Sequence, residues 1–307
     1  MLIHGRVQRG TTAVRPGEHA LGTVHQPVSP QQCRMLGFHR ILLVADNTSC
    51  LASVLCAARM LVERSEGEIL ILEAEERGSI VPRAVQQAIR ENGIGAVDTR
   101  EISRPTISAG SIEGTVRRYD CDLAILTIQA QSVGDRLVSG NLGEETFRRL
   151  SCPVLAFGPS ASAFPQPEGI GRPVICATSF HRGNTASIAV GSRIARLCDA
   201  PLECVHVLPE NMAEDTQGCH VVPEIMRSAL IVDAKRNRVM LTAEQCHILF
   251  GTSVSKAVTG YAKKREAQFI VLGIQHGGSF AAHLPIGVAS SIVASAPCPV
   301  LMIAGQE

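Results

Sequence analysis

Tryptophan is absent from the 307 residues, and all aromatics together make up only 3%. Few ring platforms are therefore available for stacking exposed bases. A core must be built from Val, Ile, Leu and Ala, which suits parallel strands covered on both faces. An excess of one charge is also missing. The 29 Lys and Arg side chains nearly balance 28 Asp and Glu, leaving a net charge of +1. No overall field gathers nucleic acid or anionic lipid, so neither is expected as a partner. Long apolar runs are lacking too, and no segment reaches the length needed to span a bilayer. The amino terminus has no apolar stretch of the kind that directs secretion. A cytoplasmic location is the expectation. The eleven cysteines include no CxxC pair, so no metal cluster is expected. They read as small buried hydrophobes of a reducing compartment. GxSxG, HExxH and GxxxxGK followed by Ser or Thr are all missing, and no residue spacing suggests a catalytic triad.

What is present is 45% hydrophobic residues on a chain long enough for two sizeable cores. Residues 1–37 stand apart, with Pro16, Pro27 and Pro30, several Arg and one acid, Glu18, and no clear period. They are expected to form a flexible arm. Order begins at HRILLVAD (39–46), a buried-strand pattern. A helical period over 50–67, the strand EILILEA (68–74) and a helix over 81–93 follow. Pro82 suits that helix's first turn and Gly93 its end. AVDTREI and DLAILTI (122–128) are further strands, separated by the helix SIEGTVRRYD. NLGEETFRRL (141–150) is a helix and PVLAFG (153–158) a fifth strand. After a Pro- and Gly-rich stretch the pattern restarts at PVICATS and runs to PVLMI. Strands alternating with helices imply right-handed crossovers and a parallel sheet.

The two runs can be aligned. CPVL at 152–155 returns at 298–301, and DLAIL at 122–126 aligns with QFIVL at 268–272, both at an offset of 146. Ala45 and Asp46 align with Thr178 and Ser179 at an offset of 133. The extra 13 residues are expected after the second strand of the second run, within 208–224. An internal duplication follows.

Each half resembles the universal stress protein family, over about residues 38–158 and 172–304. The markers are an opening strand ending in Asp, a fourth strand running into glycines, and a closing PCPVL-type strand. The resemblance implies a phosphate loop of Gly, two residues, Gly, nine residues, Gly, then Ser or Thr. It also implies that the opening Asp and a Val ending the second strand meet the base of ATP. Glycine lets backbone N–H groups approach a phosphate, and the next helix offers its positive end.

In the second half, Gly277 and Gly287 are separated by nine residues. Gly273 precedes Gly277 by four positions, one more than the pattern, and His276 takes the place of the second glycine without that insertion. Val288 replaces the Ser or Thr, with Ser290 and Ser291 just beyond as partial substitutes. Thr178 and Ser179 close the opening strand where the acid is expected, and Val207 matches the second-strand Val. The first half keeps Asp46 but has Ala74 for the Val, and Thr127 and Ala130 at two glycine positions. Gly140 and Asn141 survive at the third, a weaker candidate site. Losing two hydrogen bonds to charged groups costs about 3–6 kcal/mol. A micromolar site then becomes millimolar or is lost, since about 1.4 kcal/mol is tenfold.

Other groups have simpler explanations. His206 near the end of its strand fits a hydrogen-bonded structural role better than a ligand contact. His276 and His283 fit solvated loop positions. Cys152 and Cys298, each before Pro-Val-Leu, fit core packing, with redox sensing as the alternative. The basic run YAKKRE (261–266) fits a helix end whose dipole attracts cations.

The expectation is two tandem flavodoxin-like or Rossmann-like α/β domains, each a five-stranded mostly parallel sheet flanked by helices. Their bounds are 38–158 and 172–307, joined by a linker over 159–171. By resemblance the two domains pair within the chain through their closing strands, and a homodimer of the whole chain stays open. No cofactor is required, but weak binding of ATP or another adenine nucleotide by the second half is expected. The function expected is a stress-response protein without catalytic turnover. The alternatives are a nucleotide-hydrolysing enzyme of the related α/β superfamily, or a pure protein-interaction module using the arm.

Overall fold

The computed structural model describes residues 37–45, 51–63, 67–74, 87, 98–128, 142–150, 152–161, 171–179, 185–214, 221–274 and 286–304. The amino-terminal arm, most of the helix expected over 81–93, and residues 162–170 of the linker lie outside them.

Ten strands make one sheet. They are β1 (Arg40–Val44), β2 (Glu68–Ala74), β3 (Asp98–Arg104), β4 (Leu123–Thr127) and β5 (Val154–Phe157), then β6 (Val174–Ala177), β7 (Leu202–Leu208), β8 (Cys246–Phe250), β9 (Phe269–Ile274) and β10 (Val300–Ala304). Their order is β3-β2-β1-β4-β5-β10-β9-β6-β7-β8. The two halves thus have the same strand order. Every pairing within a half is parallel. The halves join where β5 and β10 pair antiparallel, Leu155 opposite Leu301. These are the closing strands named by sequence. Their inner positions, Val154, Leu155, Ala156 and Val300 to Met302, are at most 2% exposed, so the junction is as dry as the rest of the core.

Successive side chains along a strand face opposite ways. Leu43, Ile71, Leu155, Cys176 and Leu301 therefore join one apolar layer, and Leu42, Leu70, Ala156, Ile175 and Val300 the other. Helices α1 (Leu51–Glu63), α4 (Thr185–Leu197) and α6 (Val221–Arg236) cover the first layer. Helices α2 (Ala109–Tyr119), α3 (Leu142–Arg149), α7 (Val254–Lys264) and α8 (Ile286–Ser295) cover the second. A short α5 (Asn211–Glu214) follows β7. Ser108 starts α2 with a reciprocal cap: its Oγ accepts from the Ser111 N–H at 3.1 Å, and its own N–H donates to Ser111 Oγ at 2.8 Å. Asp120 and Glu266, 146 positions apart, both end a helix at φ 52. That left-handed conformation is one that usually selects glycine.

Strand registers locate the length difference between the halves. Ile41 pairs with Leu123, 82 positions on, and Val174 with Phe269, 95 on, which reproduces the 13. Ile71 pairs with Glu101, 30 on, and Cys204 with Cys246, 42 on. Twelve of the extra residues therefore lie between the second and third strands of the second half. The thirteenth lies later, between β8 and β9.

Three cysteines form a row across the second half. Cys176 pairs in register with Cys204, and Cys204 with Cys246, and none is more than 1% exposed. The Cys204 thiol is pushed up by its hydrogen bond with Cys176 and by burial, and burial takes Cys246 to about 11. Burial likewise takes Cys152 and Cys298 to about 12. Such thiols pack rather than react. No helix among the described residues is long and apolar enough to cross a membrane.

Candidate functional site

The chain leaves β6 toward β7 on one side, while β9 pairs on the other. A crevice therefore opens at the carboxyl ends of β6, β7 and β9, where parallel α/β sheets take ligands. Ala177 is in register with both Val205 and Leu272. Thr178 follows at the crevice floor. Its N–H donates to the Val205 carbonyl at 3.0 Å and its hydroxyl to the Ser179 carbonyl at 3.2 Å. His206 Nδ1–H donates to the Thr178 carbonyl at 2.9 Å, which fixes the tautomer and ties β7 to the end of β6. This is the structural role expected for His206. Thr178, Ser179 and Val207 line one small cavity of about 70 Å³, together with Val254 and Val258 of α7. The structure thus brings together the three residues expected at the base end.

Across the crevice, Gly273 lies inside β9, paired with Ile303, rather than in the loop. His276 and Gly277 lie outside the described residues. Gly287 sits in the first turn of α8, and a Cβ built there would meet nothing within 4 Å. Packing does not demand this glycine. Val288 packs against the apolar layer, and its side chain offers no donor. Ser291 was expected to help replace the missing hydroxyl, but it donates to the Gly287 carbonyl at 2.7 Å instead. Ser290 Oγ is buried with no partner among the described residues. In the first half, Asp46, Ala130, Gly140 and Asn141 lie outside the described residues. Thr127 is buried opposite Phe157, and Ala74 ends β2 opposite Arg104.

Sequence reasoning missed Val254 and Val258. Their signal is the spacing of four that places both on one face of α7. It also missed Glu203, an acid inside the apolar run LECVHVL. This side chain is 5% exposed and lies at the opposite end of β7 from the crevice. Tyr261 Oη donates to it at 2.9 Å, and Arg265 Nε donates to both its oxygens at 3.1 and 3.2 Å. Arg265 therefore does more than neutralise a helix end, the role expected of the whole basic run. Lys263 and Lys264, in the last turn of α7, keep that role. His247 Nε2 is 4.0 Å from Glu203 and has no hydrogen bond among the described residues. Burial holds its imidazole below the usual value. Glu203 opposes that shift, and Arg265 and Arg227 add to it.

Residues 172–304 match the model of the universal stress protein family. A functionally unknown protein from Pseudomonas aeruginosa PAO1 is similar at 18% identity and a TM-score of 0.63. The match covers 88% of this chain and 94% of that one. A universal stress protein from Archaeoglobus fulgidus DSM 4304 is similar at 14% identity and a TM-score of 0.58, over 89% of this chain and 99% of the other. These likenesses establish the shared fold. No curated protein matches the chain in sequence.

Proposed function

With residues 172–304 matching the model of the universal stress protein family, we propose that the chain is a two-domain stress-response protein without catalytic turnover, and that its second half binds an adenine nucleotide weakly. The domains are 38–158 and 172–307, like-ordered products of a duplication. The observation that carries the reading is the crevice at the carboxyl ends of β6, β7 and β9. Ser179 and Val207 line its base end, and Gly287 leaves open space at the first turn of α8. Backbone N–H groups at such a turn suit a phosphate. Weakness follows from Ser179 and Val288, which remove an acid and a hydroxyl from that constellation, about 1.5–3 kcal/mol each.

Calorimetry of ATP against the full chain tests this. The expected dissociation constant is weaker than about 100 μM, tightening when Ser179→Asp and Val288→Ser are combined. A low-micromolar constant in the unaltered protein, or no response to the double change, would defeat the reading. Steady ATP turnover would favour the hydrolase alternative.

A second reading, action through protein contacts, is favoured by Val221, Ile225 and Val232. They lie along one side of α6 and are 52%, 56% and 50% exposed. Ile225→Glu would then abolish a partner's binding while leaving ATP affinity unchanged.

A further inference from the structure

A second space at the carboxyl end of the sheet is not where the base of a nucleotide is expected. It is a chamber of about 470 Å³ between the ends of β7 and β8. Metabolite sites commonly occupy about 300–1,000 Å³. The chamber shares Val207 and Val254 with the small cavity beside Ser179 and extends away from the glycine turn. One wall, Pro209 to Asn211, belongs to the connection that is twelve residues longer than its counterpart in the first half. The other wall is the turn Gly251–Thr252, which leads into α7.

We infer that this chamber is a second, separate binding site, and that its ligand is an amphipathic amine: a compact apolar body carrying one ammonium group. Leu208 is buried, while Val207 and Val254 are half-buried, and together they give an apolar floor. The Leu208 carbonyl already accepts from the Gly251 N–H at 3.0 Å. The floor's side chains offer a ligand apolar contact. The rim is polar, with exposed Glu210, Asn211 and Thr252. Among the described residues that line the chamber, Glu210 is the only charged one, and no described Lys, Arg or His joins it. An anion would meet a carboxylate with no counter-charge among the described wall residues. The amino end of α7, which would otherwise attract an anion, is partly occupied by the chain itself: Ser253 Oγ accepts from the Lys256 N–H at 3.4 Å. An ammonium at the rim gains a charge-assisted hydrogen bond with Glu210, while the apolar body displaces water from the floor. The inference stands on its own walls and holds whether or not a nucleotide occupies the neighbouring cavity.

The test uses the full-length protein, calorimetry and two probes of one shape: 2-phenylethylamine and its anionic counterpart 3-phenylpropionate. The amine is expected to bind saturably and the acid at least about tenfold more weakly. Because Glu210 is exposed, Glu210→Gln should weaken the amine by only about two- to fivefold. Thr252→Trp places a large ring at the exposed rim and should abolish amine binding without lowering the melting temperature. Equal binding of acid and amine overturns the inference. So does an amine affinity unchanged by Glu210→Gln, or a lack of saturable heat from the amine. Should Thr252→Trp fail to fold, the Glu210 variant and the acid–amine comparison still decide.

Discussion

The carbonyl oxygen of Val293 occupies the space where a side chain on Gly158 would stand: a Cβ built on Gly158 would lie 1.8 Å from it. The two residues come from different halves, Gly158 just past β5 and Val293 within α8. Ser160 Oγ adds a long hydrogen bond to the Ala294 carbonyl at 3.5 Å. The first half thus props the helix whose amino end carries Gly287. Gly158→Ala forces the backbone of α8 to move. It is expected to destabilise by about 1–3 kcal/mol, as overpacking does, and to weaken ATP binding by displacing the amino end of α8. Urea titration and calorimetry check the two effects together.

Gly287→Ala is expected to do the reverse to stability. The added methyl meets open space, and alanine favours the helix by up to about 1 kcal/mol over glycine. The same methyl obstructs a phosphate approaching the backbone. A raised melting temperature with weaker ATP binding is the expected result. A raised melting temperature with unchanged ATP binding would place the phosphates elsewhere.

Glu73 is 7% exposed, and its Oε2 has no partner among the described residues. Burial raises its pKa above the ordinary 4.5, the Glu101 carboxylate raises it further, and a hydrogen bond from Ser103 opposes them. The folded state therefore prefers the protonated form. The stability this group lends is complete below pH 4.5 and is lost as pH climbs through its raised value. Glu73→Gln should raise the melting temperature at neutral pH and change it little below that range.

His247 behaves in the opposite sense. Its value lies below the ordinary 6.5, so the fold prefers neutral imidazole and loses stability as pH falls beneath 6.5. The groups facing it are Glu203 on β7, Tyr261 and Arg265 at α7, and Arg227 on α6. His247→Phe keeps a ring beside Tyr261, whose centroid is 5.3 Å away, and removes the titration. The fall in melting temperature between about pH 7 and pH 5.5 should shrink in the variant.

Much of the fold was legible because the strands are unbroken apolar runs. EILILEA matches β2 residue for residue. The repeat offset of 146 reappears in β5 and β10 and in the paired helix ends at Asp120 and Glu266. The site was less legible. Glycine at 273 signals a loop by composition, yet it sits in β9 because its backbone pairs with Ile303. The Ser291 hydroxyl turns back to its own helix, a choice between backbone and ligand that residue type does not encode. The chamber between β7 and β8 depends on where two turns meet in space, and no spacing in the sequence announces that.

The antiparallel join of β5 to β10 has a consequence for how the two clefts can differ. Two identical subunits meeting along this edge would separate on dilution and would carry the same residue in both clefts. Here both partners are on one chain, so each always meets the other at the effective concentration set by the connection between Gly158 and Val174. Substitutions in one half need not be mirrored in the other. Asp46 can persist on one side while Ser179 stands on the other, because the partnership no longer requires symmetry.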